Sequence, residues 1–401
     1  VLTDSFESRT SHEVFDFIIA HEHADVHALL LQQKQAVGVS ATWLAQQLAG
    51  RKKARLKLPS WYAQREIMYP PALNMEQCTA EVVARFRADF VQQQIGLHKH
   101  AADLTGGFGV DSYFLSTCAE TLSYVEPDED LARLAQHNHQ QMGAKNILHY
   151  ASTAQAFIHS STAFDFVFID PSRRSRQQKT YRLCDGAPDV VAMQPLLFQR
   201  TQFLMVKASP LTDIKQGVQE LKHVKQVLVV ALDDEVKEVG FWCDREFEGE
   251  PQIQAVMLQS NGEPQHFSFQ PKEEAAAMAL VGAPGKYLFE PHAALLKAGA
   301  FKLISQRFQI KKIHANTHLY TADGVPDGFA GRIFEVASAL KPDKHAATYF
   351  REGKANIVTR NYPLSPEQIR KKTGIRDGGE QYLICFSGER KKYSFAAYRL
   401  R

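Results

Sequence analysis

The stretch AADLTGGFGVD, residues 101–111, gathers Asp103, Thr105, Gly106, Gly107 and Gly109 within seven residues. Glycine adopts backbone angles that other residues avoid and lets a ligand approach the main chain. The stretch reads as a strand end, a tight turn and a helix that begins near Val110. A helix start offers free N–H groups and partial positive charge, which suits a polar or anionic ligand. An ordinary strand-to-helix turn would carry the same glycines, so the reading depends on other residues. The dinucleotide fingerprint G-x-G-x-x-G fits only in part: Gly107 and Gly109 match, and Ser112 stands at the last position.

Glu126, in YVEPDED, comes at the end of the next strand candidate, where an acid can accept hydrogen bonds from both hydroxyls of a ribose. Asp103 precedes the glycines, where it can meet the amino group of a methionine moiety. An acid, a glycine turn and a second acid one βα unit later form the pattern of an S-adenosylmethionine (SAM) site. After the third strand, LHYASTAQAF offers Ser152 and no acid, so a bond to the adenine amino group would lack charge assistance.

FDFVFIDPSRR sets Asp170 and Pro171 at the carboxyl end of an apolar strand, where open α/β sheets gather their ligands. Proline stiffens the turn and removes a donor, leaving carbonyls to accept from a substrate amine. These two are the catalytic candidates, with Asp170 also facing the cofactor. Arg173 and Arg174 suit a phosphate or carboxylate clamp, against the alternative of a solvated basic loop. Lys207 and Asp213, in VKASPLTD, follow the next strand and either orient substrate or make ordinary strand-end bonds. Cys184 has a nucleophile's chemistry without an evident base. His23 and His27 lie one helical turn apart, but Asp25 breaks the H-E-x-x-H pattern, so an ordinary helix surface and no metal are expected.

These residues need elements to hold them. At 401 residues and 44% hydrophobic, the chain is long enough for two or three domains with real cores. No apolar run reaches membrane-spanning length, and the opening VLTDSFESRT is too polar for a secretory signal. Five scattered cysteines form no C-x-x-C pair, which fits a reduced cytoplasm. The net charge of +3 hides an asymmetry: residues 281–401 hold 21 Lys/Arg against 10 Asp/Glu, and the remainder 26 against 34. A basic end of +11 on a body of −8 suggests a partner rich in phosphates, although a solvated face can also be basic. Lys311 and Lys312, with the run 370–372, are the phosphate-contact candidates.

The first 75 residues read as mostly helical, followed by the helix MEQCTAEVVARFRADFVQQQ. Strand candidates then alternate with helices: HKHAADL, TLSYVEP, NILHYAS, FDFVFIDP, QFLMVKAS, KQVLVVAL and IQAVMLQ. That alternation predicts a doubly wound, mostly parallel sheet. SNGEPQHFSFQPKEEAA reads as a linker, and two small α/β modules follow. The boundaries expected are 1–75 helical, 76–262 catalytic, 263–280 linker, and modules at 281–323 and 324–401.

Taken together, MEQCTAEVVARFRA, DLTGGFGVD, YVEPDE, DPSRR, LMVKASPLTDI, DDEVKEVGFW, YLFEPHAALLKAGAFKLI, IHANTHLYTAD and KANIVTRNYPLSPEQIRKK resemble bacterial class I SAM-dependent methyltransferases with a ferredoxin-like insert and a C-terminal THUMP-like domain. The resemblance covers most of the chain. It implies a Rossmann-like methyltransferase sheet with an N-terminal helical domain and small C-terminal α+β modules, SAM as cofactor, and RNA (ribosomal or transfer) as partner and methyl acceptor. Asp170 is followed by PSR instead of the PPY common in amino-group methylation, which leaves the target atom open. Methylation of a protein or small molecule, and RNA binding with SAM but no turnover, are the alternatives.

Overall fold

The structure is a computed structural model that describes residues 5–24, 35–173, 182–260 and 262–400, the side chains of 35, 36 and 173 excepted. His27 and Arg174 therefore lie outside the described residues. The chain divides into two compact units, Val1–Lys225 with Val239–Gly249, and Gln226–Glu238 with Glu250–Arg401.

After a single turn of helix at Phe6–Arg9, the first unit has helices α1 (His12–Ala20) and α2 (Ala41–Lys57). Ser40 caps α2 by accepting from the Trp43 N–H, and Trp43, Leu44, Leu48 and Ala54 make its buried stripe. Gln47 lies on that stripe too. Its amide donates to the Tyr69 carbonyl at 2.9 Å and accepts from the Tyr69 N–H at 2.7 Å, so it pairs like a strand neighbour. The single helix expected across MEQCTAEVVARFRADF is broken: Ala72–Gln77 is one short helix and α3 (Glu81–Ile95) another. Thr79 sits in the break, and its hydroxyl is drawn into the site described below.

Six strands follow: β1 (His98–Asp103), β2 (Ala119–Glu126), β3 (Ile147–Ala151), β4 (Phe164–Ile169), β5 (Thr201–Ala208) and, after the excursion into the second unit, the end of β7 (Glu235–Asp244). Their order is β3-β2-β1-β4-β5-β7. All neighbours are parallel except β7 against β5. Phe166–Ile169 of β4 are wholly buried, as an interior parallel strand requires. Asp103 is in register with Tyr124 on one side and Phe168 on the other, so the carboxyl ends of β1, β2 and β4 coincide. The strand order reverses between β1 and β4, the switch point where such sheets bind ligands. Helices α4 (Val110–Ser116), α5 (Glu129–Gln141) and α6 (Val190–Arg200) lie between the strands in sequence. Asp128 caps α5, accepting from the Asp130 and Leu131 N–H groups.

In the second unit, β6 (Val224–Leu232) pairs in parallel with β8 (Gln252–Leu258), which pairs antiparallel with β9 (Gln265–Phe269). Strand β7 (Glu235–Asp244) begins in this unit. Residues 263–280 are thus not a plain linker. Phe267 and Phe269 alternate with polar His266 and Ser268, and the two buried rings fix β9 in register. A short helix, Pro271–Ala276, follows with proline at its first position and a Gln270–Glu273 capping box.

The rest of this unit is a seven-stranded sheet in the order β11-β12-β10-β13-β16-β15-β14, formed by β10 (Tyr287–Pro291), β11 (Lys311–His314), β12 (Thr317–Ala322), β13 (Gly331–Ala339), β14 (Asn356–Arg360), β15 (Gln381–Ser387) and β16 (Lys392–Arg399). Helices α7 (Ala293–Ala298), α8 (Phe301–Phe308) and α9 (Pro366–Thr373) accompany it. Ser365 caps α9 in a capping box with Gln368, and Gly374 ends it in the left-handed conformation. Among the described residues no helix is long and apolar enough to cross a membrane.

Candidate active site

The glycine turn is fixed from below. Asp103 is fully buried; Ser112 donates to one carboxylate oxygen at 2.6 Å and the Thr105 N–H to the other at 3.0 Å. Burial pushes its pKa up to about 7. Asp103 is therefore an anchor beneath the turn, not a group on its open side, which departs from the contact with a methionine amino group expected of it. Gly106 donates to the Val125 carbonyl, and a Cβ there would stand 2.2 Å from the Tyr124 ring. Gly109 has φ of +87°, and its Cβ would stand 2.6 Å from the His139 ring. Both glycines are needed by packing. Gly107 differs: its φ is +54°, and nothing lies nearer a Cβ than the Thr105 carbonyl at 3.8 Å. Its side of the turn is the open one.

Two rings hold the turn's carbonyls. The Tyr124 hydroxyl donates to Gly107 O at 2.6 Å, and His139 Nε2 donates to Gly109 O at 2.8 Å. With Nε2–H so used, neutral His139 accepts at Nδ1 from His149 Nε2, 2.8 Å away. Burial pushes the two imidazoles down to about 3 and about 4. Glu126 accepts from the Gly107 N–H at 2.9 Å and from the Asp128 N–H at 3.0 Å, one bond to each oxygen. Each oxygen keeps a further lone pair. Ser152 follows the end of β3, and its N–H donates to the Glu126 carbonyl at 3.2 Å.

Strand β4 joins the turn through Thr105, whose hydroxyl accepts from the Asp170 N–H at 2.7 Å. The Asp170 carboxylate meets Lys207 from β5 at 2.5 Å. Lys207 also donates to Thr79 Oγ1 at 3.0 Å and lies 3.7 Å from Asp111. Asp111 in turn pairs with Arg87 of α3 and accepts from the Thr79 hydroxyl at 2.7 Å. Despite its burial, Arg87 and then Lys207 hold Asp111 below the usual carboxylate range. The result is an alternating row of charges, Arg87, Asp111, Lys207 and Asp170, that starts in the core and ends at a strand terminus.

Lys207 is thus brought to Asp170, as its position after β5 suggested, while Asp213 caps the helix Ile214–Glu220 through the Gln216 N–H. Pro171 is half-buried, and the backbones of Ser172 and Arg173 pair with Ala187 and Gly186. The Cys184 thiol is pushed up by burial and by Glu220, the reverse of an activated nucleophile. Among the described residues no three potential ligands gather as a metal site would need. In the second unit Lys311 is exposed, but Lys312 is buried, its ammonium donating to the Ala315 carbonyl at 2.6 Å over the Phe301 ring. That inward turn corrects the reading of Lys312 as a phosphate contact, because a β-strand sends successive side chains to opposite faces.

The sequence reading missed Thr79, Arg87, Asp111, Tyr124 and His139. Arg87 had a signal: it falls on the apolar face of α3, four residues from both Val83 and Val91. A charge on that face must find a buried partner.

Strands ordered 3-2-1-4-5-7 with a glycine turn after the first define a class I methyltransferase fold. Comparison with known proteins agrees. Residues 287–329 match the model of a ferredoxin-like domain, and residues 331–397 that of a THUMP-like domain. A crystal structure of a protein from Porphyromonas gingivalis W83, described as a methyltransferase, is 26% identical with a TM-score of 0.86, covering 100% of both chains. S-adenosylmethionine-dependent methyltransferases from two strains of Mycobacterium tuberculosis, themselves uncharacterized, are 26% identical over 350 residues, 84% of this chain and 90% of theirs. The chain is a class I SAM-methyltransferase-like protein with ferredoxin-like and THUMP-like domains. The ferredoxin-like match runs six residues past the expected end at 323, to take in Phe329, whose ring packs on Phe289 and Phe308.

Proposed function

We propose that the chain transfers the methyl group of SAM to RNA, ribosomal or transfer, in the cytoplasm. The observation that carries the enzymatic part is the bond from the Asp170 N–H to Thr105 Oγ1, which ties the acceptor-side strand end to the cofactor-side turn. Methyl transfer asks a protein mainly to align donor and acceptor in line, and a rigid tie between the two sides serves that need. SAM would supply an electrophilic methyl group. Gly107 with its open side, the N–H groups at the start of α4, and the spare lone pairs of Glu126 suit its polar parts, and Ser152 lies beside Glu126 to meet the adenine. Asp170, held by Lys207, would position the acceptor, with Pro171 stiffening the turn.

RNA is supported by the THUMP-like match at 331–397 and by the +11 balance after residue 281. Domains of this kind read shape and single-stranded elements more than duplex sequence, and a base inside folded RNA must be splayed out to reach a pocket. The test is transfer from isotopically labelled SAM to total RNA, followed by mass spectrometry of nucleosides. Label in one modified nucleoside, absent in RNA from cells that keep the protein, is the expected result. Label in protein or in small molecules would replace RNA as the acceptor, and SAM binding without any transfer would remove the enzymatic reading.

A further inference from the structure

At the opposite end of the first unit's sheet, the amino ends of β1, β4 and β5 surround a concavity of about 480 Å³. Strand β1 separates it from the glycine turn by five residue steps, about 16 Å at the usual rise. Three cations line it: Lys99, Arg200 and Arg245. Elsewhere in this unit Arg51, Arg87 and Arg182 each sit on a carboxylate. Among the described residues these three have no such partner: Arg200 donates to the His159 carbonyl at 3.3 Å and Arg245 to the Phe198 carbonyl at 2.8 Å. The one acid in the wall, Asp165, accepts from the Lys99 and His100 N–H groups at 2.8 and 2.9 Å, both through Oδ2.

The wall also has unmet hydrogen-bonding capacity. Arg200 Nε and His98 Nε2 are both buried without a partner. His98 bonds the Gly96 carbonyl through Nδ1, so Nε2 carries the lone pair and accepts. Leu97, Phe164 and Phe203 supply apolar surface, Leu97 being 68% exposed. A net lining charge of +2 (three cations, one acid) stands on a part of the chain that is otherwise acidic. A leftover positive charge with open guanidinium donors marks an oxyanion site.

We propose that this concavity is a second ligand site that takes a phosphomonoester on a ring-bearing body: a nucleoside 5′-monophosphate, free or as the phosphorylated 5′ end of an RNA. A phosphomonoester carries about −1.5 to −2 at neutral pH, which matches the lining. Arg200 and Arg245 hold the phosphate, and the apolar wall takes the ring. A volume of 480 Å³ is within the usual range for small-ligand pockets, roughly 300–1,000 Å³. The proposal does not depend on methyl transfer, because it is read by binding alone.

The test is calorimetric titration of the full-length protein with uridine 5′-monophosphate, chosen because it lacks the adenine that the glycine-turn site would take. Uridine should bind at least ~10-fold more weakly, as should the parent ligand to an R200Q/R245Q double variant, since each lost charge-assisted bond typically costs ~10-fold or more. A second variant, Leu97→Asp, alters only an exposed side chain and adds a repelling charge, so it should weaken binding even if the double variant fails to fold. A 5′-phosphorylated uridine trinucleotide that binds ~10-fold tighter than the mononucleotide assigns the site to an RNA end; equal affinities assign it to a free nucleotide. Equal binding of uridine and its monophosphate, no binding of the monophosphate, or full affinity in Leu97→Asp would each overturn the proposal.

Discussion

Lys207 and Asp170 close a salt bridge of 2.5 Å between the carboxyl ends of two adjacent parallel strands, with Lys207 itself braced by Thr79 and Asp111. The carboxylate at the strand end is therefore aimed by a residue that lies 37 positions further along the chain. Asp170→Ala should abolish methyl transfer while changing SAM affinity much less, read by single-turnover assay and titration. Lys207→Met should also slow transfer and should cost about 1–3 kcal/mol of stability, because Asp111 and Thr79 lose a partner in the interior. Undiminished single-turnover rates in either variant would reduce the pair to a structural clamp.

The turn's glycines should separate by phenotype. Gly107→Val should mainly weaken SAM, since its Cβ points to open space; a β-branched residue at φ of +54° also costs about 1–2 kcal/mol of stability, but displaces no neighbour. Glu126→Ala should weaken SAM about 10- to 100-fold, the value of a charge-assisted bond. Gly109→Ala should instead lower the melting temperature, with a cost above about 1 kcal/mol from its positive φ and the His139 ring. A Gly109→Ala protein as stable as the parent would contradict the packing described.

Buried ionisable groups set the acid response. His139 and His149 stay neutral in the fold down to about 3 and about 4, whereas in the unfolded chain they protonate near 6.5. Their stabilisation is present above 6.5 and falls as pH drops toward the folded values, by about 1.4 kcal/mol per pH unit for each fully linked proton. Asp103 acts oppositely. With a folded pKa of about 7 it holds a proton that the unfolded chain has released, so it adds stability as pH falls from 7 toward 4. Two protons against one leave a net loss on acidification. Asp103→Asn should remove the opposing term and steepen the fall of urea midpoints between pH 6.5 and 5.5. An unchanged slope would place the Asp103 proton elsewhere.

If RNA is held through phosphates, the logarithm of affinity should fall linearly with that of salt, by about 0.7 per single-strand phosphate neutralised. Lys371→Glu and Lys372→Glu in the full-length protein should lower both affinity and slope, since both side chains are exposed on α9. Lys311→Glu should behave in the same way. Lys312→Glu should lower thermal stability instead, because its side chain is buried. Salt-independent binding in gel-shift assays would argue against a phosphate interface.

What the sequence made legible was the strong local signal: all seven strand candidates, the turn at 103–109 and the strand end at Asp170. Strand β9 was hidden because three of its five residues are polar, and only the burial of Phe267 and Phe269 reveals it. Thr79, Arg87 and Asp111 were hidden for a different reason. Each is unremarkable within its own segment, and their meaning comes from the packing of α3 against α4 and from Lys207, 128 positions beyond Thr79. The same limit applies to Lys312, whose exposure is decided by strand parity and cannot be read from a basic run.

The backbone at residues 68 and 69 is clipped from two directions, by Gln47 of α2 and by Asn138 of α5, which accepts from the Met68 N–H at 2.9 Å and donates to its carbonyl at 2.8 Å. The second clip comes from a residue 70 positions downstream of the backbone it holds. During synthesis, the N-terminal helices therefore emerge well before the partner that completes their seating. They must wait on the ribosome with apolar surface uncovered until the second βα unit has been made. Pauses in translation between residues 75 and 138 would lengthen that exposure, making this interval the one where codon choice and chaperone access bear most on the yield of folded protein.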